Sequence, residues 1–203
     1  MADTPARPLG RRKFLGLSLV GLFSPATVAW AAGSAAENYV RGIAEDVMAL
    51  ANSGQSGSGL RNRFATLLNR YINLRGVANY ALGSYQNKLP GSKRSEFYRL
   101  VSNYAAGLFV FYVKDFRGSD LDIISSSTQG NFIIINSVIK GNGGGEQVRW
   151  RLSQTGNGFR VSDVNVKGVW LTIAMKDRFN RVLRQSNGDF EALFKSLREA
   201  DHW

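Results

Sequence analysis

The sequence predicts an α+β fold, and three observations predict it. Apolar residues recur at helical spacing early in the chain and again at its end, they alternate with period two in between, and glycine-rich turns divide the alternating part into short strands. Helices gathered at both ends around an antiparallel sheet must cover that sheet on one side. The expected architecture is a twisted antiparallel sheet of about four strands packed against N- and C-terminal helices. A chain of 203 residues suits one domain with a sizeable core. It contains no cysteine, which excludes disulfides, thiol nucleophiles and thiolate metal sites.

The first 31 residues stand outside that fold. Met1 to Lys13 is polar and basic, Phe14 to Val28 is mostly apolar, and Ala29-Trp30-Ala31 has small residues where a signal peptidase needs them, so cleavage is expected after Ala31. Arg11-Arg12-Lys13-Phe14-Leu15 resembles a twin-arginine export signal, with glycine at the flanking positions where serine and lysine are usual. An ordinary Sec signal with a basic start is the competing reading. The apolar run is short and interrupted for a retained transmembrane span. Either signal directs residues 32–203 to a bacterial periplasm as a single domain. Removing four basic residues and one acidic one lowers the formal charge from +11 to +8. A basic, exported protein suits anionic lipid head groups or an acidic partner, and the address disfavours nucleic acid.

Each element follows in order. Ile43, Val47 and Leu50 mark a first helix that stops at the flexible run from Asn52 to Gly59. Leu60, Phe64, Leu67, Leu68, Tyr71 and Ile72 fall on one face of a second helix. A short segment ends at Ala81-Leu82-Gly83. The turn Pro90-Gly91-Ser92 then opens a long helix with Phe97, Leu100, Val101, Tyr104, Ala105, Leu108, Phe111 and Tyr112, whose apolar stripe widens toward its end. Leu121 to Ser127 is the weakest strand candidate. Phe132 to Ile135 is continuously apolar, as a strand covered on both faces would be. Val148, Trp150 and Leu152 alternate with Arg149, Arg151 and Ser153. Phe159 and Val161 share a parity that Val164 and Val166 reverse, which predicts a β-bulge near Ser162-Asp163. A helix through Phe179, Val182 and Leu183 follows, then a break at Asn187-Gly188 and a last helix with Phe190, Leu193, Phe194 and Leu197 on one face.

Catalytic chemistry is sparse. His202 is the only histidine and lies next to the C-terminal residue. There is no nucleophile elbow, zinc-protease pair, phosphate loop or calcium loop. Asp115, Asp120 and Asp122 cluster at a helix-to-strand junction, where acidic residues are ordinary. Asp163, at the expected bulge, is the one carboxylate to consider for acid–base work, and it has no partner base or nucleophile in the sequence. Large apolar side chains are abundant on every element instead. They form either one solid core or the walls of an apolar cavity between sheet and helices, and residue types alone do not separate the two.

Phe64-Ala65-Thr66-Leu67-Leu68, Tyr80-Ala81-Leu82-Gly83, the segment from Glu96 to Tyr104, Val148-Arg149-Trp150-Arg151-Leu152, Phe159-Arg160-Val161-Ser162-Asp163-Val164 with Gly168-Val169, and the break at Asn187-Gly188-Asp189-Phe190 occur in an order that resembles the MlaC family, also called the toluene-tolerance auxiliary family. The resemblance spans nearly the whole mature chain. It implies a periplasmic carrier, not an enzyme, that takes phospholipid acyl chains into a pocket between sheet and helices. It further implies shuttling between an inner-membrane MCE-protein transporter and an outer-membrane lipoprotein complex, with no cofactor or metal and as a monomer. A related branch is associated with hopanoid gene clusters, so a hopanoid-type lipid is the alternative cargo. Under this resemblance Phe64, Leu68, Tyr71, Ile72, Tyr104, Leu108 and Phe111 are expected to face Ile133, Ile135, Trp150, Leu152 and Val166 around the acyl chains. The chain departs from the family pattern at Trp170, where a small polar residue is usual, at Ser84-Tyr85-Gln86, and at Lys167, where an acidic residue is frequent. Trp170, following a bulge and Gly168, is expected at the rim of the pocket as a gate, or else as a plug over the end of the core. The remaining alternatives are a small periplasmic enzyme with Asp163 as base and an interacting subunit with a solid core.

Overall fold

The computed structural model describes residues 26–112, 117–141, 145–156 and 158–199. The Arg11-Arg12 signal, Asp115 and His202 lie outside them. The helix α1, Ala26–Asn52, continues unbroken across the expected cleavage point. Its side chains Ala36, Val40, Ile43, Ala44 and Val47 recur every three or four residues and all join one core. That stripe reaches seven residues further toward the N-terminus than Ile43, where the apolar pattern was first read.

The second helix, α2, spans Gly57–Tyr71 and ends where Ile72 turns extended. Ile72 then forms a parallel bridge with Val161, and the Asn73 N–H donates to the Val161 carbonyl at 3.0 Å. Asn73 caps α3, Leu74–Leu82, by accepting from the Gly76 N–H at 3.2 Å. The long helix α4 is Arg94–Tyr112.

The sheet is a meander of five antiparallel strands in the order β1-β2-β3-β4-β5: Asp120–Gln129, Phe132–Lys140, Glu146–Thr155, Gly158–Val166 and Val169–Trp170. Ile133, Ile134 and Ile135 are all buried, so β2 is covered on both faces as expected. The parity change in β4 has its bulge: Arg151 pairs with Asp163 but Leu152 pairs with Val161, leaving Ser162 as the extra residue. A second bulge, at Ile124 in β1, has no counterpart in the sequence pattern. The fifth strand, absent from the expected four, forms because Lys167 and Gly168 both adopt positive φ, 52° and 83°. Two such residues make a tight hairpin turn that folds the chain back for one pair of bridges before α5 begins. The last helices are α5, Leu171–Gln185, and α6, Phe190–Arg198, the latter capped by Asp189 accepting from the Glu191 N–H at 2.8 Å.

Three cores result. Helices α3, α4, α5 and α6 enclose Leu82, Phe97, Tyr104, Phe179, Leu183 and Phe194 without any sheet residue. The inner face of the sheet packs Leu121, Ile133, Ile135, Leu152 and Val161 against the stripe of α1. A smaller cluster joins Leu50 and Ala51 of α1 to Leu60 of α2 and Phe109 of α4. The sheet is therefore covered on its inner face by the N-terminal helices, while the C-terminal helices build a core of their own.

Candidate functional site

Open space lies at one end of the interface between α1 and the sheet. A cavity of about 480 Å³ is lined by Ala35 and Tyr39 of α1, Arg70 and Tyr71 at the end of α2, and Thr155, Gly158, Phe159 and Arg160 of the β3–β4 hairpin. Three aromatic rings wall it: Tyr39 meets Tyr71 edge-on with centroids 5.8 Å apart, and meets Phe159 at 5.8 Å. These rings also pack against the core beneath α1.

The two tyrosine rings are held by their hydroxyls. Tyr39 donates to the Tyr71 carbonyl at 3.2 Å, and Tyr71 donates to Asp46 Oδ2 at 2.5 Å. Asp46 also pairs with Arg70 at 3.2 Å. Burial raises the pKa of Tyr39 above the ordinary phenol value, and the hydrogen bond to Asp46 is the leading cause of the rise at Tyr71. Arg160 Nη1 donates to the carbonyls of Asn69, at 3.3 Å, and Arg70. These are among the last carbonyls of α2, where a helix leaves oxygens without intrahelical partners and favours a cation.

The residues expected around a pocket do not all meet. Tyr71, Ile72, Ile133, Ile135, Trp150 and Leu152 gather in the core under α1. Val166 is half-buried opposite Val148 on the same face of the sheet. Leu68 is buried on α2. Tyr104 and Leu108, however, belong to the helical core, and Phe64 stacks on Phe109 at 3.7 Å in the third cluster. Phe111 is 54% exposed. The physical reason is the wide stripe of α4. A helix packed on two sides carries two adjacent apolar faces, here one toward α5 and one toward α2, and neither covers the sheet.

Trp170 is also elsewhere. It pairs with Asn165, which pairs with Arg149, so its ring projects from the face opposite Val148 and Trp150. There it lies under two guanidinium groups, Arg151 at 4.1 Å and Arg149 at 5.5 Å from the ring centroid. It does not line the cavity, and the expected gate is not formed there. Asp163, on the same outer face, is only 4% exposed. One carboxylate oxygen accepts from the N–H groups of Val164 and Thr172 at 2.9 and 3.1 Å, the other accepts from the Thr172 hydroxyl at 2.6 Å and lies 3.5 Å from Arg151. It caps the start of α5 from a neighbouring strand and has no access to the cavity, so the acid–base role considered for it is corrected to a structural one. Asp120 and Asp122 are likewise occupied, by the Leu121 N–H at 2.7 Å and by Lys140. Among the described residues no group of three or more acidic or histidine side chains is placed to hold a metal ion.

Of the lining residues the sequence reading anticipated Tyr71 and missed the others, among them Tyr39, Arg70, Phe159 and Arg160. The stripe at 36, 40, 43, 44 and 47 was the available signal for α1, and Tyr39 flanks it. No pattern in the sequence marks Arg160, because its position depends on the end of α2 meeting β4.

Tyr104 gives a measurable consequence of the helical core. Burial pushes its phenol up to about 12, against about 10 in an unfolded chain. As pH rises the unfolded chain releases this proton first, so stability should be level below about pH 10 and fall between there and about pH 12. Tyr104→Phe is expected to reduce that fall in urea denaturation curves measured across the window. Tyr39 and Tyr71 shift in the same direction and keep it from vanishing.

The family model described as MlaC protein matches residues 41–199. No curated protein matches the chain. Among solved structures, the phospholipid-binding protein from Ralstonia solanacearum, described in complex with a phospholipid, is similar with a TM-score of 0.68 at 17% identity, covering 84% of this chain and 96% of that one. That likeness shows a shared fold.

Proposed function

The chain belongs to the MlaC family, and from that premise we propose that it is a periplasmic carrier that binds phospholipid by its acyl chains beneath α1. The observation that carries this reading is the cavity walled by Tyr39, Tyr71 and Phe159, rings that also pack against the apolar interface of α1 and the sheet. The related fold of a protein described with a bound phospholipid supports it.

Magnitudes decide how the lipid fits. Two acyl chains of about thirty methylenes are worth roughly 20 kcal/mol between water and an apolar site, so the chains have to be buried along their whole length. A cavity of about 480 Å³ is in the range that takes one small ligand. The head and first methylenes fit there. The rest of the chains take the place now filled by the stripe of α1, so α1 lifts from the sheet on loading. Of its contact side chains, Ala36, Val40 and Ala44 are small and give up little area when they leave, so the cost of lifting falls mainly on Tyr39, Ile43 and Val47, which the acyl chains would have to replace. The same energy makes unaided extraction from a bilayer slow. Loading and delivery therefore belong to partners, an inner-membrane MCE-domain transporter and an outer-membrane lipoprotein complex, and export through the Arg11-Arg12 signal supplies the periplasmic address. Among the described residues no helix is long and apolar enough to cross a membrane.

Gently purified protein, extracted with organic solvent and analysed by mass spectrometry, is expected to yield phospholipid in stoichiometric amount. Persistent absence of any lipid would remove the carrier reading and leave that of an interacting subunit with a solid core.

A further inference from the structure

We infer that Arg160 and Arg70 form an anion site at the mouth of the cavity that takes the phosphate of the bound lipid, so that the protein selects phospholipids over uncharged lipids with the same chains. This rests on the lipid-carrier reading and adds to it the part of the ligand that the site recognises. Both residues line a cavity whose other principal walls are the rings of Tyr39, Tyr71 and Phe159. An amphipathic ligand entering it meets aromatic rings and two guanidinium groups, of which Arg70 is 61% exposed.

Arg160 is preorganised. Its Nη1 is tied to the carbonyls of Asn69 and Arg70 at the end of α2, which fixes the plane of the fork before any ligand arrives. A guanidinium carries five N–H donors, so the bonds made from this one nitrogen leave donors of the others for phosphate oxygens. Charge points the same way. Arg70 is paired with Asp46, and that carboxylate also accepts from the Tyr71 hydroxyl. Two guanidinium groups and one carboxylate carry one net positive formal charge beside the cavity, which the carbonyls at the end of α2 offset only in part. A phosphodiester, with one negative charge, balances it, whereas an uncharged lipid leaves it unmatched.

The test offers delipidated protein equal amounts of phosphatidylglycerol and a diacylglycerol with identical acyl chains, dispersed in detergent so that no extraction from a bilayer is needed, and counts both bound lipids by mass spectrometry after the detergent is removed. Wild-type protein is expected to retain the phospholipid in about tenfold excess, as one or two charge-assisted hydrogen bonds would give. The Arg70→Gln, Arg160→Gln double variant is expected to take both lipids equally, its phospholipid uptake falling to the level of the diacylglycerol. Because Arg160 also caps α2, Arg70→Gln is measured alone. Its side chain is 61% exposed, and it is expected to lose part of the preference with no change in the thermal melt. Failure of wild-type protein to take either lipid overturns the carrier reading itself. Equal uptake by wild type, or a preference that survives both variants, overturns the phosphate site and leaves the carrier reading standing. Binding of inorganic phosphate without lipid, combined with equal uptake of the two lipids, assigns the arginines to a free anion and likewise overturns the headgroup site.

Discussion

Asp163→Ala is expected to lower the unfolding free energy by about 2–5 kcal/mol, the range for stranding two buried hydrogen-bond donors. The carboxylate is 4% exposed and accepts three hydrogen bonds, two of them from the backbone N–H and the hydroxyl of Thr172, itself buried. Alanine would strand those donors without water. It would also leave Arg151 with only the ring of Trp170 and, at 5.7 Å, that of Phe132 as neighbours for its charge. Arg151 is partly exposed and can turn toward solvent, so most of the loss arises at the start of α5. Asp163→Asn is expected to cost less, because one amide oxygen can still accept from Val164 and Thr172. Urea denaturation of the two variants beside wild type measures the difference. Lipid content per folded molecule should not change, because Asp163 lies on the sheet face away from the cavity. A stability loss below about 1 kcal/mol for the alanine variant would mean that the carboxylate does not hold α5 to the sheet.

The same residue shows what a sequence can and cannot convey. The parity slip between Val161 and Val164 marked a bulge at Ser162-Asp163, because period-two alternation is a local rule and a break in it has few causes. The bulge then decides that Asp163 faces α5 and not α1, but that requires knowing which helix covers which face. Tyr104 and Leu108 illustrate the gap from the other side. Their helical stripe was legible, yet it packs on Phe179 and its neighbours, because an apolar stripe states that a face is buried and not what buries it. Trp170 was misplaced for a related reason. Its position in sequence, after a bulge and a glycine, fitted a rim, and only the tight turn at Lys167-Gly168 sets its ring on the outer face. The cavity itself joins α1, the end of α2 and a hairpin some ninety residues further on, a meeting that no local pattern encodes.

Fastening α1 to the sheet is expected to abolish lipid uptake. The Ser126 hydroxyl of β1 donates to Glu37 Oε1 of α1 at 2.6 Å, so these two positions face each other across the interface that the acyl chains are proposed to open. The chain has no cysteine, and Glu37→Cys with Ser126→Cys would introduce two thiols that a short bis-alkylating reagent joins without side reactions at other residues. In the delipidated protein this linkage holds the stripe of Ala36, Val40 and Ala44 on Ile133, Ile135 and Leu152 and leaves only the cavity of about 480 Å³ accessible. Forgoing burial of most of two acyl chains costs many times the 1.4 kcal/mol that changes an equilibrium tenfold, so uptake should fall by far more than about tenfold. Linking the same thiols after loading is expected to slow release to acceptor vesicles instead, since the chains are then enclosed under a fastened helix. The unlinked double variant controls for the lost Glu37–Ser126 bond, a charge-assisted hydrogen bond at a part-buried site whose loss should cost about 1–3 kcal/mol. If the linked, delipidated protein loads as fast and as fully as the unlinked one, α1 does not lift, and the acyl chains must enter by a route that leaves the interface of α1 and the sheet closed.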